Sequence, residues 1–313
     1  MNLRELKSFV YSLINDPGEE ACQFGEVISY LNIGQSVLAS ALWNIEREKF
    51  LGIQTFLVDS STPASPDQAL SSTGDYLCPA DLNEIVRVTL NGSECNRHPV
   101  RELNALTKNT LYRPVRGSQQ FFSEIGDSVG RTKIRIAPVP AEADSISIWY
   151  FKKPTDFSEL GTFENTVTAV GGVAGVSLID TALPAANANG DSTFWANAEV
   201  RITNGTMIGQ KRRVTAFTPS SGTLTVDTAF AIQIPIGTSY EVDQISIIPS
   251  QHHHMIGYYA AALAAPKKGM DPNQFWSVFN DHMGMLKRKY QDNVEANIAG
   301  EAPAGIRGAS AAV

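Results

Sequence analysis

Apolar residues recur at helical spacing at both ends of the chain. Near the start, one apolar stripe covers residues 3–14 and a second covers residues 24–45. Near the end, a stripe over residues 255–263 is followed by one over residues 275–290. Each end is therefore predicted to be a pair of helices, and two such pairs bury their apolar faces best against each other. The pattern predicts a four-helix bundle formed by the N- and C-terminal helices.

Turn signals separate the helices within each pair. Asp16, Pro17 and Gly18 follow the first stripe, where proline cannot continue a helix and glycine accepts a left-handed turn. Asp271 and Pro272 precede the last stripe and are a strong signal for a helix start. An aspartate there caps open amides, and a proline in the first turn gives up no needed hydrogen bond. Both helical pairs are thus predicted to have defined ends.

Between the helices the pattern changes to short alternating runs that are typical of β-strands. Strands are predicted over residues 84–90, 119–125, 132–136 and 145–151. The first of these ends at Asn91-Gly92, a strong signal for a β-hairpin. Residues 46–75 are predicted to be a connector that begins as a charged helix end and finishes in a Ser/Pro-rich surface loop, and residues 101–108 a short helix.

Residues 158–243 differ from the rest in composition, since they are rich in Gly, Ala, Thr and Asn and poor in helix signals. Strands are predicted there over residues 199–203, 210–217, 223–227 and 239–243. We interpret this segment as a small all-β module of sandwich or barrel type, inserted into a host domain. The predicted fold class is α+β.

The insertion defines the predicted domain organisation. Residues 1–157 and 244–296 form the core, which combines the helical bundle with a β-rich part, and residues 158–243 form the inserted module. Residues 297–313 have small side chains and few bulky apolar ones, so we expect a flexible C-terminal arm.

Composition narrows the classes of function. Of the 313 residues 43% are hydrophobic and 18% charged, and the formal net charge is −7. A net negative chain is a poor match for a surface that grips nucleic acid by neutralising phosphates. The sequence has no apolar stretch long enough to span a membrane and no secretory signal. Its three cysteines form no CxxC pair, so we expect a reducing compartment and no zinc site.

Three consecutive histidines, His252, His253 and His254, are the most obvious candidates for metal binding. Successive helix residues point about 100° apart, so one helix cannot direct all three at one ion. A metal site would need His282 or a carboxylate from elsewhere. A polar helix start or an interface is the preferred interpretation, and no metal is predicted.

Other candidates for chemistry also have simpler interpretations. Asp75, Asp81 and Glu84 could serve hydrolysis, but the nearest histidine in sequence is His98, and acids at strand edges are usually solvated or capping. The glycine-rich residues 171–175 lack the Lys-Ser/Thr pair that a phosphate loop needs. We therefore predict no catalytic residue and no cofactor.

The predicted module contains two further candidate surfaces. Phe194, Trp195, Phe230 and Tyr240 could form an aromatic patch of the kind that binds sugars, although packing in a core is the preferred interpretation. The basic run over residues 211–213 could contact nucleic acid, but a solvated strand face is preferred. These residues leave carbohydrate binding open as an alternative.

Several short stretches, taken in order, resemble the head-to-tail adaptor (connector) proteins of tailed bacteriophages. They are FGEVISYLNIGQ (24–35), YLCPAD (76–81), IVRV (85–88), IRIAPVP (134–140), ISIWYFKKP (146–154) and the closing segment 252–290. The chain departs from the family pattern at residues 158–243, which many such adaptors lack.

The resemblance implies a non-enzymatic structural protein of the virion neck, assembled in the host cytoplasm. Such adaptors form a ring, usually of twelve copies, under the portal protein, where they extend the DNA channel and provide a platform for neck or tail proteins. DNA passes through without specific binding, and no membrane is involved. By position only, residues 292–313 would contact the portal, with Pro303, Ile306 and Arg307 as the named candidates. The alternative is a carbohydrate- or receptor-binding virion component that acts through residues 158–243.

Overall fold

The structure is a computed structural model of the whole chain. It describes residues 1–43, 45–59, 73–79, 81–103, 120–126, 132–171, 175–183, 194–195 and 198–300, with side chains up to residue 289 and at residue 291. The chain divides into two compact units. Unit 1 combines Met1–Ile45 with Thr155–Val313, and unit 2 is Glu46–Pro154. Helices and two separate β-sheets are both present, which confirms the α+β class.

Unit 1 contains the long helices from both ends of the chain. They are α1 (Leu3–Leu13), α2 (Phe24–Leu42), α3 (His253–Ala264) and α4 (Asn273–Gly300). Helices α1, α2 and α4 each pack against α3, whose residues are almost all apolar and mostly buried. The four predicted helices are therefore confirmed, while a regular four-helix bundle stays a prediction. Helix α4 continues to Gly300, into the segment predicted to be an arm.

Aromatic side chains join the terminal helices to α3. Phe9 of α1 meets Tyr258 edge to face, with 5.5 Å between ring centroids. On the next position of α3, Tyr259 lies against Trp276 of α4 at 5.0 Å and against Phe279 at 5.2 Å. Contacts of this geometry add to the burial of the rings. Phe9 and Tyr258 thus pack together although one lies near the start of the chain and the other near its end.

Polar side chains close the ends of the helices. Asn2 caps α1 and forms a capping box with Glu5. After α1, the buried carboxylate of Asp16 accepts hydrogen bonds from the backbone N–H groups of Ala21 and Cys22 and an ion pair of 2.8 Å from Lys268. The Lys268 ammonium, with these N–H groups, lowers the pKa of Asp16. The turn after α1 is thereby tied to the turn that follows α3.

Unit 2 is built on a seven-stranded sheet of order β1-β7-β3-β4-β5-β6-β2. Its strands are β1 (Leu51–Leu57), β2 (Asp75–Leu77), β3 (Leu82–Leu90), β4 (Ser93–Arg97), β5 (Gln120–Gly126), β6 (Thr132–Ala137) and β7 (Ser145–Lys152). All neighbours are antiparallel except β4 and β5. The four predicted strands are confirmed, and so is the hairpin at Asn91-Gly92, where both residues have positive φ.

One prediction about unit 2 is wrong. Residues 46–75 were expected to be a connector, but Leu51–Leu57 form strand β1 at one edge of the sheet. The strand is short and apolar on both faces, so it lacks the polar alternation that would mark it in the sequence. Of the helix predicted over residues 101–108, residues 101–103 are helical and the others lie outside the described residues.

A second sheet lies in unit 1 and corresponds to the predicted all-β module. Its order is β8-β13-β10-β11-β12-β9, all antiparallel, and it curls into a half-barrel. The strands are β8 (Thr162–Thr166), β9 (Ser177–Ile179), β10 (Glu199–Ile202), β11 (Lys211–Thr218), β12 (Thr223–Val226) and β13 (Ser239–Asp243). It has its own apolar core around Trp195 and Tyr240. The boundaries of the module as an insertion stay a prediction.

The first and last strands of this sheet in sequence, β8 and β13, are neighbours. Strands β8 and β13 pair, with Thr162 opposite Asp243. Beyond that pair, Gln244 donates its backbone N–H to the Gly161 carbonyl at 2.8 Å, and its side-chain oxygen accepts from the Ser158 N–H at 2.9 Å. The chain therefore leaves the six-stranded sheet next to the point at which it entered.

Candidate assembly surface

The edge strand β1 has an outward row of side chains that is almost entirely apolar. Leu51, Ile53 and Leu57 are 40%, 52% and 59% exposed, and the fourth member, Thr55, is also exposed. These four residues share one face because side chains alternate along a strand. We call this row, together with its open backbone, the β1 edge. Natural sheets usually protect such edges with charge, proline or a covering segment.

The hydrogen bonds next to β1 show which backbone groups are open. The Val58 N–H donates to the Asp144 carbonyl at 2.9 Å, and the Val58 carbonyl accepts from the Ala143 N–H at 2.8 Å. In an antiparallel pair, backbone groups alternate in direction along the strand. The even-numbered residues of β1 therefore face β7, and the N–H and C=O groups of its odd-numbered residues point away from the sheet.

Arginines cover the aromatic rings beside the β1 edge. The guanidinium of Arg47 lies 4.3 Å from the ring centroid of Phe151, and that of Arg87 lies 4.4 Å from the ring of Trp149. Arg47 also pairs with Glu84 at 2.8 Å. Cations over ring faces shield apolar area while they keep a charge at the surface. The aliphatic row of β1 has no comparable cover among the described residues.

In unit 1, charged groups fix α1 to the six-stranded sheet. Arg4 contacts the carboxylates of Glu164 at 3.1 Å, Asp243 at 3.3 Å and Glu241 at 3.6 Å. Guanidinium groups suit such multiple contacts because their donors are arranged in a rigid fork. The side chain thus joins the first turn of α1 to strands β8 and β13.

A second cation reinforces this junction from the side of the sheet. Lys211 of β11 reaches Glu199 at 2.8 Å and Glu5 of α1 at 3.0 Å. The carboxylates of Glu199 and Glu5 raise the pKa of Lys211. Of the basic run over residues 211–213, Lys211 therefore contributes to the junction with α1. Arg212 lies 5.1 Å from the ring of Phe230.

Helix α2 holds the chain where it enters the six-stranded sheet. The side-chain amide of Asn32 makes two hydrogen bonds with the backbone of Phe157, at 2.7 and 3.0 Å. The buried Gln35 donates to the Thr155 carbonyl at 2.9 Å. These hydrogen bonds hold the chain against α2. They also give partners to backbone groups that lie outside any helix or strand, which such groups need when they are buried.

The predicted carboxylate candidates each have a structural partner. Asp75 is held by Arg135 through two bonds of 2.5 and 2.7 Å. Asp81 accepts from the Tyr150 hydroxyl at 2.9 Å. Glu84 pairs with Arg47, as described above, and His98 lies 3.1 Å from Glu102. The structure does not bring the three acids together into one site.

The three consecutive histidines also point in different directions. His253 is buried, and its Nε2 donates to the Ile248 carbonyl at 2.6 Å; burial lowers its pKa. His254 lies against His282 of α4, with 4.7 Å between ring centroids. Burial, and then the neighbouring His282, lower the pKa of His254. Within the described residues no group of three potential ligands is placed to hold a metal ion.

The aromatic candidates belong to a core. Trp195, Phe230 and Tyr240 are buried in the six-stranded sheet's core, and Phe194 packs against it. Tyr240 donates to the buried carboxylate of Asp180 at 2.7 Å. The preferred interpretation, that these aromatic residues pack in a core, is confirmed. They do not form the exposed aromatic patch on which the sugar-binding alternative depended.

Two groups of predicted residues lie partly or wholly outside the residues that the structure describes. Pro303, Ile306 and Arg307, the candidate portal contacts, fall outside the described residues. Of the glycine-rich residues 171–175, only Gly171 and Gly175 are described, and Gly175 has the positive φ of a turn. Among the described helices, none combines the length and apolar character needed to cross a membrane.

A known protein family matches more than half of this chain. The family described as SU10 adaptor protein has a model that matches residues 1–186, more than half of the 313 residues. The chain belongs to the SU10 adaptor protein family. The resemblance to phage head-to-tail adaptors is thereby confirmed. A search of curated proteins finds no match.

The SU10 adaptor match includes α1, α2 and the whole seven-stranded sheet, and it ends within the segment of the six-stranded sheet. SU10 adaptors are structural proteins of the phage virion that are not normally enzymes and that interact with portal and tail proteins. Sequence reasoning missed the β1 edge. The signal that could have found it is LGIQTFL, an uncharged run between the charged residues 46–49 and Asp59.

Proposed function

We propose that this protein forms a ring-shaped head-to-tail adaptor that docks under the portal, extends the DNA channel and provides a platform for neck or tail proteins. The single observation that carries this proposal is the family match over residues 1–186. The ring is a homo-oligomer of about twelve copies in this proposal, a closed cyclic arrangement of the kind common among symmetric assemblies.

Several features of the chain support an assembly role. Its cations and carboxylates pair with each other, as at Arg4, Lys211 and Arg135, and hold elements together. The exposed aliphatic row of β1 is typical of a surface that another chain covers. A net charge of −7 also suits a protein beside a DNA channel, because like charges do not hold the passing phosphates.

The proposed domain organisation assigns a task to each part. Residues 1–157 and 244–296 form the adaptor core, residues 158–243 are an inserted module, and residues 297–313 are an arm that orders on the portal. A segment that folds on binding can wrap a large partner surface. The burial of Trp195, Phe230 and Tyr240 argues against the sugar-binding alternative, because rings in a core cannot stack on a sugar.

Negative-stain electron microscopy of the purified protein, alone and mixed with the portal rings of the same phage, tests the proposal. We expect a second ring stacked coaxially on the portal. Portal rings that stay bare while the adaptor stays dispersed would overturn it. A preparation of portal from an unrelated phage serves as the control, because it should remain bare in either case.

A further inference from the structure

We propose that two free copies of this protein pair through their β1 strands, antiparallel and about a two-fold axis at Gln54. The pairing joins two seven-stranded sheets into one continuous sheet. It concerns the protein before it docks, so it goes beyond the proposed ring and does not depend on portal binding.

The open backbone of β1 defines what it can bind. The N–H and C=O groups of Leu51, Ile53, Thr55 and Leu57 point away from β7, as the alternation of hydrogen bonds shows. The partner that satisfies such a row is another extended strand. The aliphatic side chains of the same residues require that this strand be apolar on one face.

A second β1 is the best fit among the sheet edges that the structure describes. The other edge strands are β2 with 3 residues, β8 with 5 and β9 with 3, whereas β1 has 7. In addition, β8 presents Glu164 in an ion pair with Arg4. Of these described edges, only β1 offers an uncharged strand of matching length.

The sequence of β1 is complementary to itself in this register. With Gln54 opposite Gln54, Leu51 of one copy lies opposite Leu57 of the other, and Ile53 lies opposite Thr55. These residues form the hydrogen-bonded pairs, each of which exchanges two backbone bonds. On the opposite face Gly52 of one copy meets Phe56 of the other, so the two large rings are not opposed.

Gln54 gives the axis a specific interaction. Its Oε1 is buried and accepts no hydrogen bond from any described residue. Residue 54 is in a non-hydrogen-bonded position of the proposed pairing, where opposing side chains come closest. When each side chain turns towards the partner strand, the two carboxamides can donate to each other across the axis, and each oxygen then gains the hydrogen bond that it lacks in the single chain.

The charge distribution favours this face for self-association. The molecule has a net charge of −7, so most approaches between two copies are repulsive. Residues 51–58 contain no charged side chain. A two-fold contact also differs from a ring contact, since neighbours in a cyclic ring meet through two different faces.

Crosslinking at residue 54 tests the register directly. In a non-hydrogen-bonded antiparallel pair the Cα atoms are about 4.5 Å apart, within the range that a disulfide spans. We expect the Gln54→Cys protein to form a covalent dimer under mild oxidation. The native cysteines Cys22, Cys78 and Cys95 are buried and should contribute little background. Val86→Cys, at a 50% exposed position away from the edge, is the matched control.

A second pair of variants tests the contact without a new bond. Thr55→Pro removes an outward N–H and keeps the backbone hydrogen bonds to β7, although the 2.9 Å contact of the Thr55 hydroxyl with Ser147 is lost. We expect dimer dissociation to be favoured by about tenfold or more. Ile53→Lys should act in the same direction, and Ile236→Lys, at a similarly exposed isoleucine, should not. Sedimentation velocity over a range of concentrations measures the dimer, and circular dichroism shows that each variant is folded.

The outcomes separate clearly. A dimer that is lost in Ile53→Lys or Thr55→Pro but kept in Ile236→Lys, with selective crosslinking at residue 54, supports the pairing. A protein that stays monomeric at high concentration overturns it. A dimer that crosslinks no faster at residue 54 than at residue 86 also overturns it, because the copies then meet through another surface.

Discussion

At the scale of single residues, Asp243 shows burial and ion pairing acting in opposite directions. It is 1% exposed, and burial raises its pKa to about 6 although Arg4 lies 3.3 Å away and opposes the shift. One of its oxygens accepts no hydrogen bond from any described residue. The carboxylate therefore joins α1 to the six-stranded sheet at an energetic cost that falls when it is protonated.

Asp243→Asn should change how stability depends on pH. A carboxyl group whose pKa is higher in the folded state stabilises the fold below its unfolded pKa, and loses that contribution as pH rises through the folded value. Between pH 7 and pH 5 the wild type should therefore gain about 1 kcal/mol relative to Asp243→Asn. Urea unfolding of both proteins at the two pH values measures this, and an equal difference at both would contradict it.

Some residue roles depend on neighbours in sequence, and others depend on residues far away along the chain. The capping role of Asn2 and Glu5 depends on neighbours in sequence, so local spacing would suffice to find it. The partners of Arg4 lie 160 to 239 positions away, and nothing in the local pattern indicates them. Likewise, Trp195 could be interpreted as an exposed ring or a core ring until the sheet around it was known.

At the scale of elements, the packing of α2 on α3 depends on a small residue. A Cβ added at Gly34 would lie 3.2 Å from the Ile256 carbonyl oxygen and 3.1 Å from the Tyr259 Cβ. A backbone oxygen cannot move aside as a flexible side chain can. The two helices therefore approach closely because residue 34 has no side chain.

Gly34→Leu should separate these helices. We expect it to lower the free energy of unfolding by about 1–3 kcal/mol, the usual cost of overpacking. Gly284→Leu is the control, since a Cβ there would meet nothing within 4 Å, and it should be neutral or slightly stabilising because leucine favours a helix over glycine. Thermal unfolding compares them, and equal effects would show that the helix crossing is not the cause.

The elements themselves were predictable to different degrees. Helices with a continuous apolar stripe and capping residues were found, as were strands that have one buried face, such as β7. Strand β1 was missed because its apolar residues lie on both faces, which removes the alternation. Strand β9 has 3 residues, too few to give a periodic signal.

At the scale of the whole molecule, the proposed ring requires that an adaptor attach to the portal without being distorted by the contact. A separate arm meets this requirement, because it can bind while the folded units keep their structure. Residues 297–313 have the composition for such an arm. Pro303, Ile306 and Arg307 are the residues within it that we propose to contact the portal.

Deletion of residues 297–313 should weaken attachment to the portal and leave thermal unfolding nearly unchanged, because the only described structure that it removes is the last turn of α4. A shorter deletion of residues 308–313 retains Pro303, Ile306 and Arg307 and should attach nearly as well. Co-sedimentation with portal rings measures attachment. If the longer deletion binds as tightly as the full chain, the contact lies elsewhere on the molecule.

The pairing of Thr162 with Asp243 has a consequence for the gene. Opposite residues in an antiparallel pair lie about 5 Å apart, so the segment between them adds almost no displacement to the path of the chain. A recombination event that removed, lengthened or replaced that segment would leave the flanking chain ends adjacent, although α1 would lose its ion pairs with Glu164 and Lys211. Adaptor genes of related phages are therefore expected to vary in length at this point.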